Sequence, residues 1–456
     1  MDVELILTPG LGNGAFLVSA GREAVVVDPP RDAWRVIAVA EARGWRVTHV
    51  LETHVHNDYL SGALELHSAV GTEILAPARG RYGFAHRPMD DTDVLEIDGL
   101  QFTARATPGH TPEHLAWEVR TDGRDSPTAI ATGGSLLVGS AGRTDLLGSG
   151  QTEALTRAQF HTLRSLAALP DDVAVLPTHG GGSFCSVGPA DAARTTTIGR
   201  ERRHNPLLTI DDESTFRTTL LDGLGPYPTY YAEMAPINRV GPAVVGRVPI
   251  PRKVGPDAVR AAVAGGAHVV DARSRRKFAA GHIGGSLNIE LADSFASYVG
   301  WFVPFGAAVV LVLPDPFEET LVEAATQLFR IGYERIVGVL GGGVAAWVDA
   351  GGSLASYPVT TASTAAEEVA RGQPIHMLDV RYPHEWRDDG AVPGAIEVSI
   401  GDLASRLYTL PRDAPITVMC KSGSRASIAA SMLDAAGFDV RLVAAGGALD
   451  IADATG

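Results

Sequence analysis

Cysteine is nearly absent: the 456 residues hold two, Cys185 and Cys420. A secreted domain stapled by disulfides needs far more, so a disulfide framework is excluded and each thiol is read singly, as nucleophile, ligand or small buried hydrophobe. Long apolar runs are missing too. None reaches the roughly 18 residues of a membrane span, and Met1-Asp2-Val3-Glu4-Leu5-Ile6-Leu7 lacks the basic segment and apolar stretch of a secretory leader. Basic residues are outnumbered, 38 Lys and Arg against 53 Asp and Glu, which leaves a formal charge of −15. Nucleic acids and anionic membranes offer no attraction to such a chain, so neither is expected as a partner, and small molecules or proteins remain. A cytoplasmic location is the matching expectation.

The rest of the composition is globular, 45% hydrophobic and 20% charged, and the length allows about three domains. Chemistry concentrates at Thr53-His54-Val55-His56-Asn57-Asp58-Tyr59, directly after the apolar strand Val47–Leu51. Polar clusters at the carboxyl ends of strands are where open α/β sheets keep their sites. This stretch resembles the first metal motif of the metallo-β-lactamase superfamily, T-H-x-H-x-D-H, with Tyr59 in place of the last histidine. Three further loops follow strands: Thr107-Pro108-Gly109-His110-Thr111-Pro112-Glu113-His114, the Gly133-Gly134 pair, and Pro177-Thr178-His179-Gly180 running on to Cys185.

Together with Gly142-Arg143-Thr144-Asp145, Glu201 and Asn205-Pro206, these loops make residues 1–245 resemble the persulfide-dioxygenase branch of that superfamily, close to glyoxalase II. The resemblance implies an αββα sandwich and one ferrous ion per chain, held by His54, His110 and a carboxylate at position 134. Position 134 is glycine. A two-histidine, one-carboxylate face is thereby broken, and three outcomes stay open. Water or substrate sulfur fills the gap, His56 joins His54 and His110 in a three-histidine site that also suits zinc, or the pocket holds no metal. Asp58 and His179 remain from a second-metal set, but Tyr59 and Gly134 remove two of its ligands. If the pocket has kept its geometry, Gly134→Asp is expected to tighten iron binding. His67, His114 and His204 are read as structural or surface residues.

A Pro-rich basic connector, Arg247–Arg252, then opens an internal repeat of about a hundred residues. Asp271-Ala272-Arg273 with Gly281-His282-Ile283 recurs as Asp379-Val380-Arg381 with Val392-Pro393-Gly394. Both copies, 246–356 and 357–456, resemble rhodanese domains. In the second copy the strand Ile416–Met419 runs into Cys420-Lys421-Ser422-Gly423-Ser424-Arg425, and a helix is expected from near Ala426. A thiol on a strand-to-helix loop is ringed by backbone N–H groups near a positive helix terminus, which suits a thiolate or a persulfide. Cys420 is the expected sulfur carrier, Arg425 adds positive charge, and Lys421, Ser422, Gly423 and Ser424 cradle the substrate sulfur. The first copy has Leu313-Pro314-Asp315-Pro316 at this place and carries no cysteine.

The order of domains resembles bacterial fusions that oxidise low-molecular-weight thiol persulfides and pass sulfur to sulfite, giving thiosulfate. In this reading Cys185 is a further candidate persulfide acceptor or, equally, a small buried residue, and a homo-oligomer is expected. Three functions stay open: a dioxygenase and sulfurtransferase fusion, a sulfurtransferase whose first domain is degenerate, and a non-enzymatic sulfur relay.

Overall fold

A computed structural model describes residues 1–188, 193–372 and 375–455. The chain divides into two compact units, Met1–Pro249 with Phe329–Gly332, and Ile250–Leu328 with Tyr333–Gly456.

In the first unit two six-stranded sheets face each other. One runs in the order Asp2–Thr8, Asn13–Ser19, Glu23–Val27, Arg46–Leu51, Glu73–Pro77, Arg87–Met89; the other runs Thr196–Thr197, Ala174–Pro177, Ala129–Gly133, Leu115–Thr121, Leu100–Ala106, Val94–Ile97. The strands read as near-continuous apolar runs because both faces are covered. Phe16, Val18, Val25 and Val27 point inward to meet Phe102, Trp117 and Val119 of the other sheet. Their neighbours Ala15, Leu17, Ala24 and Val26 point outward to the helices Trp34–Arg43 and Ala63–Val70. The second sheet does the same, with Ile130 and Val175 under the helices Ser149–Ala167 and Glu213–Asp222. This period-two division of each strand produces the expected αββα sandwich.

Gly44 ends the first helix at φ 70°, a conformation glycine adopts without steric cost. The loops at 52–59, 107–114, 134 and 178–179 all leave carboxyl ends of strands. They are tied across the sandwich by backbone bonds, Leu115 N–H to Thr53 O at 2.8 Å and Thr178 N–H to Gly133 O at 2.9 Å.

The repeat in the second unit is visible strand by strand. The first copy's sheet runs Lys253–Val254, Ile336–Leu340, Val309–Val312, His268–Asp271, Leu287–Asn288; the second runs Val359–Thr361, Val440–Ala445, Ile416–Met419, His376–Asp379, Ile396–Glu397. All pairings are parallel. The two copies lie in one compact unit, each with its own sheet. The D-x-R signature turns out to be a structural clamp. Arg273 grips Asp271 and donates to Gly281 O at 2.9 Å; Arg381 grips Asp379 and donates to Gly390 O at 2.8 Å.

Candidate metal centre and sulfur-carrying loop

His54, His110 and His179 arrive from three different strand ends, and their ligand nitrogens lie within 4.8 Å of one another. Their tautomers follow from their partners. Thr53 donates its hydroxyl proton to Asp28 at 2.7 Å, so it accepts from His54 Nδ1 at 2.8 Å. His110 Nδ1 donates to Arg143 O at 2.7 Å. His179 Nδ1 faces Asn13 Oδ1 at 3.2 Å and Asp58 Oδ2 at 3.3 Å. Each imidazole therefore turns an Nε2 lone pair into the same space. Among the described residues His110 Nε2 has no hydrogen-bond partner, and His54 Nε2 lies 3.4 Å from His179 Nε2 with no proton left to share. Converging lone pairs of this kind suit a metal ion, and the acceptors behind the Nδ1 atoms fix the rings for it.

The electrostatics agree. Burial holds His54 well below the usual histidine range and brings His110 down to about 3, so both are neutral and able to ligate. Asp58 is brought down to about 2: burial opposes its charge, but His179 and Asn13 outweigh burial. Its Oδ2 accepts from Asn13 Nδ2 at 2.9 Å, and its Oδ1 is buried without a partner among the described residues. Asp58 thus supplies the negative charge that Gly134 cannot.

His56 is placed differently from the expected three-histidine set. Its Nε2 is turned to Asp28 at 3.3 Å, Glu52 at 3.2 Å and the Tyr59 hydroxyl at 3.2 Å. Burial opposes its charge, yet Asp28 and Glu52 push its pKa up to about 10. The set that joins His54 and His110 is completed by His179, while His56 groups with Asp28 and His54 and with Asp58 and His179. Tyr59, where the family has a histidine, donates to Asp28 O at 3.2 Å.

Gly134 also differs from expectation. A Cβ built there would overlap His110 Cδ2 and lie 2.8 Å from Nε2 and 2.9 Å from Cγ. The imidazole fills the room an aspartate at 134 would need, so Gly134→Asp meets a steric obstacle that the sequence does not reveal. The Gly134 N–H donates to His114 Nε2 at 2.9 Å, and His114 Nδ1 bonds Thr107 Oγ1 at 2.8 Å. His114 is thus structural, as expected, although it is buried against His54 rather than on the surface. Cys185 is fully buried; burial pushes its thiol up, Asp58 adds to the effect, and Tyr231 is its hydrogen-bond partner. A thiol held neutral in this way is a poor nucleophile, which favours the packing reading over the persulfide-acceptor one.

Glu52, His54, His56, Tyr82, Phe84 and Asn238 line a small pocket of about 10 Å³ beside this centre, room for about one water. Asn13, Asp28 and Glu52 went unnoticed in the sequence because each sits alone on its strand end, and only folding brings it to the histidines. Asp28 offered a faint signal, ending an apolar strand just before two prolines.

The Cys420 loop has the expected form. Ile416–Met419 ends under the helix Ser424–Ala435, with Gly423 between them at φ 93°. Cys420 Sγ accepts from Gly423 N–H at 3.1 Å and Ala426 N–H at 3.4 Å. Arg425 interacts electrostatically with Cys420 while its guanidinium is held elsewhere. It is clamped through both guanidinium nitrogens by Glu385 and lies 4.6 Å over the Tyr382 ring. Against burial, Arg425 holds the Glu385 carboxyl below its usual range. Lys421 is exposed and pairs with Asp389 at 3.1 Å, and the Ser424 hydroxyl accepts from Arg275 at 3.2 Å.

Comparisons with known proteins agree with both halves. A family model for the rhodanese-like domain matches residues 256–350 and 361–449. The chain is 35% identical over 188 residues to a hydroxyacylglutathione hydrolase of Cereibacter sphaeroides, covering 39% of this chain and 67% of that protein. A hydroxyacylglutathione hydrolase of Chromohalobacter salexigens is 30% identical over 215 residues, covering 42% of this chain and 80% of that protein. Among solved structures, a metallo-β-lactamase from Staphylococcus aureus subsp. aureus COL superimposes with a TM-score of 0.67 at 25% identity, covering 75% of this chain and 98% of that one.

Proposed function

Because the chain belongs to the metallo-β-lactamase-fold relatives of hydroxyacylglutathione hydrolase, fused to tandem rhodanese-like domains, we propose that it oxidises a low-molecular-weight thiol persulfide in its first unit and transfers sulfane sulfur through Cys420 in its second. The observation that carries this reading is the Cys420 loop, where two backbone N–H groups converge on a sulfur at the mouth of a helix. A negative sulfur atom, thiolate or persulfide, is what such a ring of donors stabilises.

In the first unit His54, His110 and His179 would hold the metal, proposed as one ferrous ion with zinc as the alternative, and when bound it supplies a centre that binds substrate sulfur and supports oxygen chemistry. The protein's own part is positional. Thr53, Arg143 and Asn13 fix the three rings, Asp58 balances charge, and the buried surroundings exclude water. Relatives named hydroxyacylglutathione hydrolase support a glutathione-borne substrate.

Sulfur leaves through Cys420: its thiolate attacks the outer sulfur of the donor, the donor's S–S bond breaks, and the leaving thiolate or sulfite takes the electron pair. The persulfide then passes that sulfur to an acceptor such as sulfite, releasing thiosulfate and the Cys420 thiolate.

A second reading, sulfur transfer without oxidation, is favoured by one observation, the overlap between His110 and any side chain at 134. Oxygen uptake with a glutathione persulfide substrate separates the two. Uptake by the wild type that His54→Ala/His110→Ala abolishes supports oxidation. No uptake, with sulfur transfer lost only in Cys420→Ser, supports transfer alone.

A further inference from the structure

The copy without a cysteine reaches the loop that has one. Arg275, two residues beyond the D-x-R clamp of the first copy, donates from Nη1 to Ser422 O at 2.5 Å and from Nη2 to Ser424 Oγ at 3.2 Å. It is held in turn by Glu290, through Nε at 2.9 Å and Nη2 at 2.6 Å, and Glu290 also accepts from the Arg275 backbone N–H at 2.8 Å. Behind it, Ser427 of the helix that follows the loop bonds Asn288, and Asp434 of the same helix faces His282 at 3.1 Å.

The peptide between Ser422 and Gly423 is the pivot. Its carbonyl oxygen is held by Arg275, and its N–H is the donor 3.1 Å from Cys420 Sγ. Glycine at φ 93° leaves that peptide free to rotate at little steric cost. A half-turn would swing the N–H away and set a carbonyl oxygen against the sulfur, which repels a thiolate. The guanidinium opposes that rotation, and by drawing on the carbonyl it strengthens the N–H at the other end of the same peptide. Even the missing side chain at 423 is used: a Cβ there would lie 2.9 Å from Arg275 Cζ and overlap Nη1.

We propose that Arg275 is a positioning residue for sulfur transfer at Cys420, supplied by the rhodanese-like copy that carries no sulfur itself. The proposal rests on the reading of Cys420 as sulfur carrier. The step it serves is attack by the Cys420 thiolate on the outer sulfur of a sulfane donor. With thiosulfate, one S–S bond forms on Cys420 and one breaks in the donor, sulfite leaves with the electron pair, and total charge is conserved.

The test is the rate at which Cys420 gains one sulfur atom from thiosulfate, read by quenching and peptide mass in full-length wild type, Arg275→Ala, Arg275→Lys and Glu290→Gln. Arg275→Ala should load about tenfold more slowly at saturating thiosulfate, the effect of losing one hydrogen bond to a charged group. The half-saturating concentration should stay unchanged. Arg275→Lys, which retains a donor for Ser422 O, should recover much of the rate, and Glu290→Gln should fall between. Arg275→Ala loading at the wild-type rate overturns the proposal. So does a defect confined to the half-saturating concentration, which would make Arg275 an anion-binding residue instead. If Arg275→Ala does not fold, equal rates in Arg275→Lys, Glu290→Gln and wild type with no loss in the glutamine variant overturn it as well. Wild type that gains no sulfur at all is a different result, and it removes the Cys420 reading together with the proposal.

Discussion

The imidazole of His110 occupies the space beside Gly134 that a longer side chain would take. A Cβ on Gly134 would overlap its Cδ2, while Nδ1 is anchored on Arg143 O at 2.7 Å and Nε2 faces His54 and His179. The glycine and the histidine position are therefore one arrangement: where the carboxylate is gone, three histidines gather.

Restoring the aspartate should not restore the site. Gly134→Asp is expected to displace His110, to cost about 1–3 kcal/mol through overpacking, and to lower the iron or zinc content of protein purified without air. Elemental analysis with urea denaturation checks both, and a variant that binds more iron than the wild type would contradict the three-histidine assignment.

Asn13 should matter for metal although it is no ligand. It bonds Asp58 at 2.9 Å and faces His179 at 3.2 Å. Removing a group that orients ligands typically costs about 10–100-fold in affinity. Asn13→Ala should show that loss in metal titrations while its circular dichroism stays that of the wild type.

Stability of the metal-free protein should peak near pH 6.5. His54, His110 and His114 are held neutral, with pKa values depressed by burial. Below pH 6.5 the unfolded chain takes up protons that the native state refuses, so their contribution is lost as pH falls, with a slope of up to about 1.4 kcal/mol per pH unit for each. His56 has the opposite sign. Its pKa is raised to about 10, so its contribution is full below 6.5 and is lost as pH rises toward 10. Urea midpoints from pH 5 to 9 should trace this dome, and a midpoint that does not change with pH would contradict the burial of these charges.

The D-x-R pairs should be stabilising rather than catalytic. Arg381 and Asp379 are both fully buried, and Arg273 with Asp271 nearly so. Removing the arginine strands a buried carboxylate at a cost of about 3–5 kcal/mol. Arg273→Ala should therefore destabilise the second unit as Arg381→Ala does, although only one copy carries a cysteine, and a thermal scan compares them.

Much of this architecture is legible in the sequence because it is local. Strand ends at Leu51, Gly133 and Pro177, the repeat, and the Cys420 loop all depend on neighbours in the chain. The centre itself depends on pairs far apart. His179 joins His54 from 125 residues away, while His56, two residues from His54, turns to Asp28 and Glu52 instead. Nothing in the motif tells these apart, since the choice is made by the burial of Asp28 and Glu52 under the same sheet. Arg275 stays hidden for the same reason, being 147 residues from the peptide it holds.

The most direct test is the mass of the Cys420 peptide after native protein is incubated with thiosulfate and then with sulfite or cyanide as acceptor. One added sulfur on Cys420, none on Cys185, and its removal by the acceptor are predicted. An unmodified Cys420, or sulfur found on Cys185 instead, would contradict the assignment of this chain to sulfur transfer through its second rhodanese-like copy.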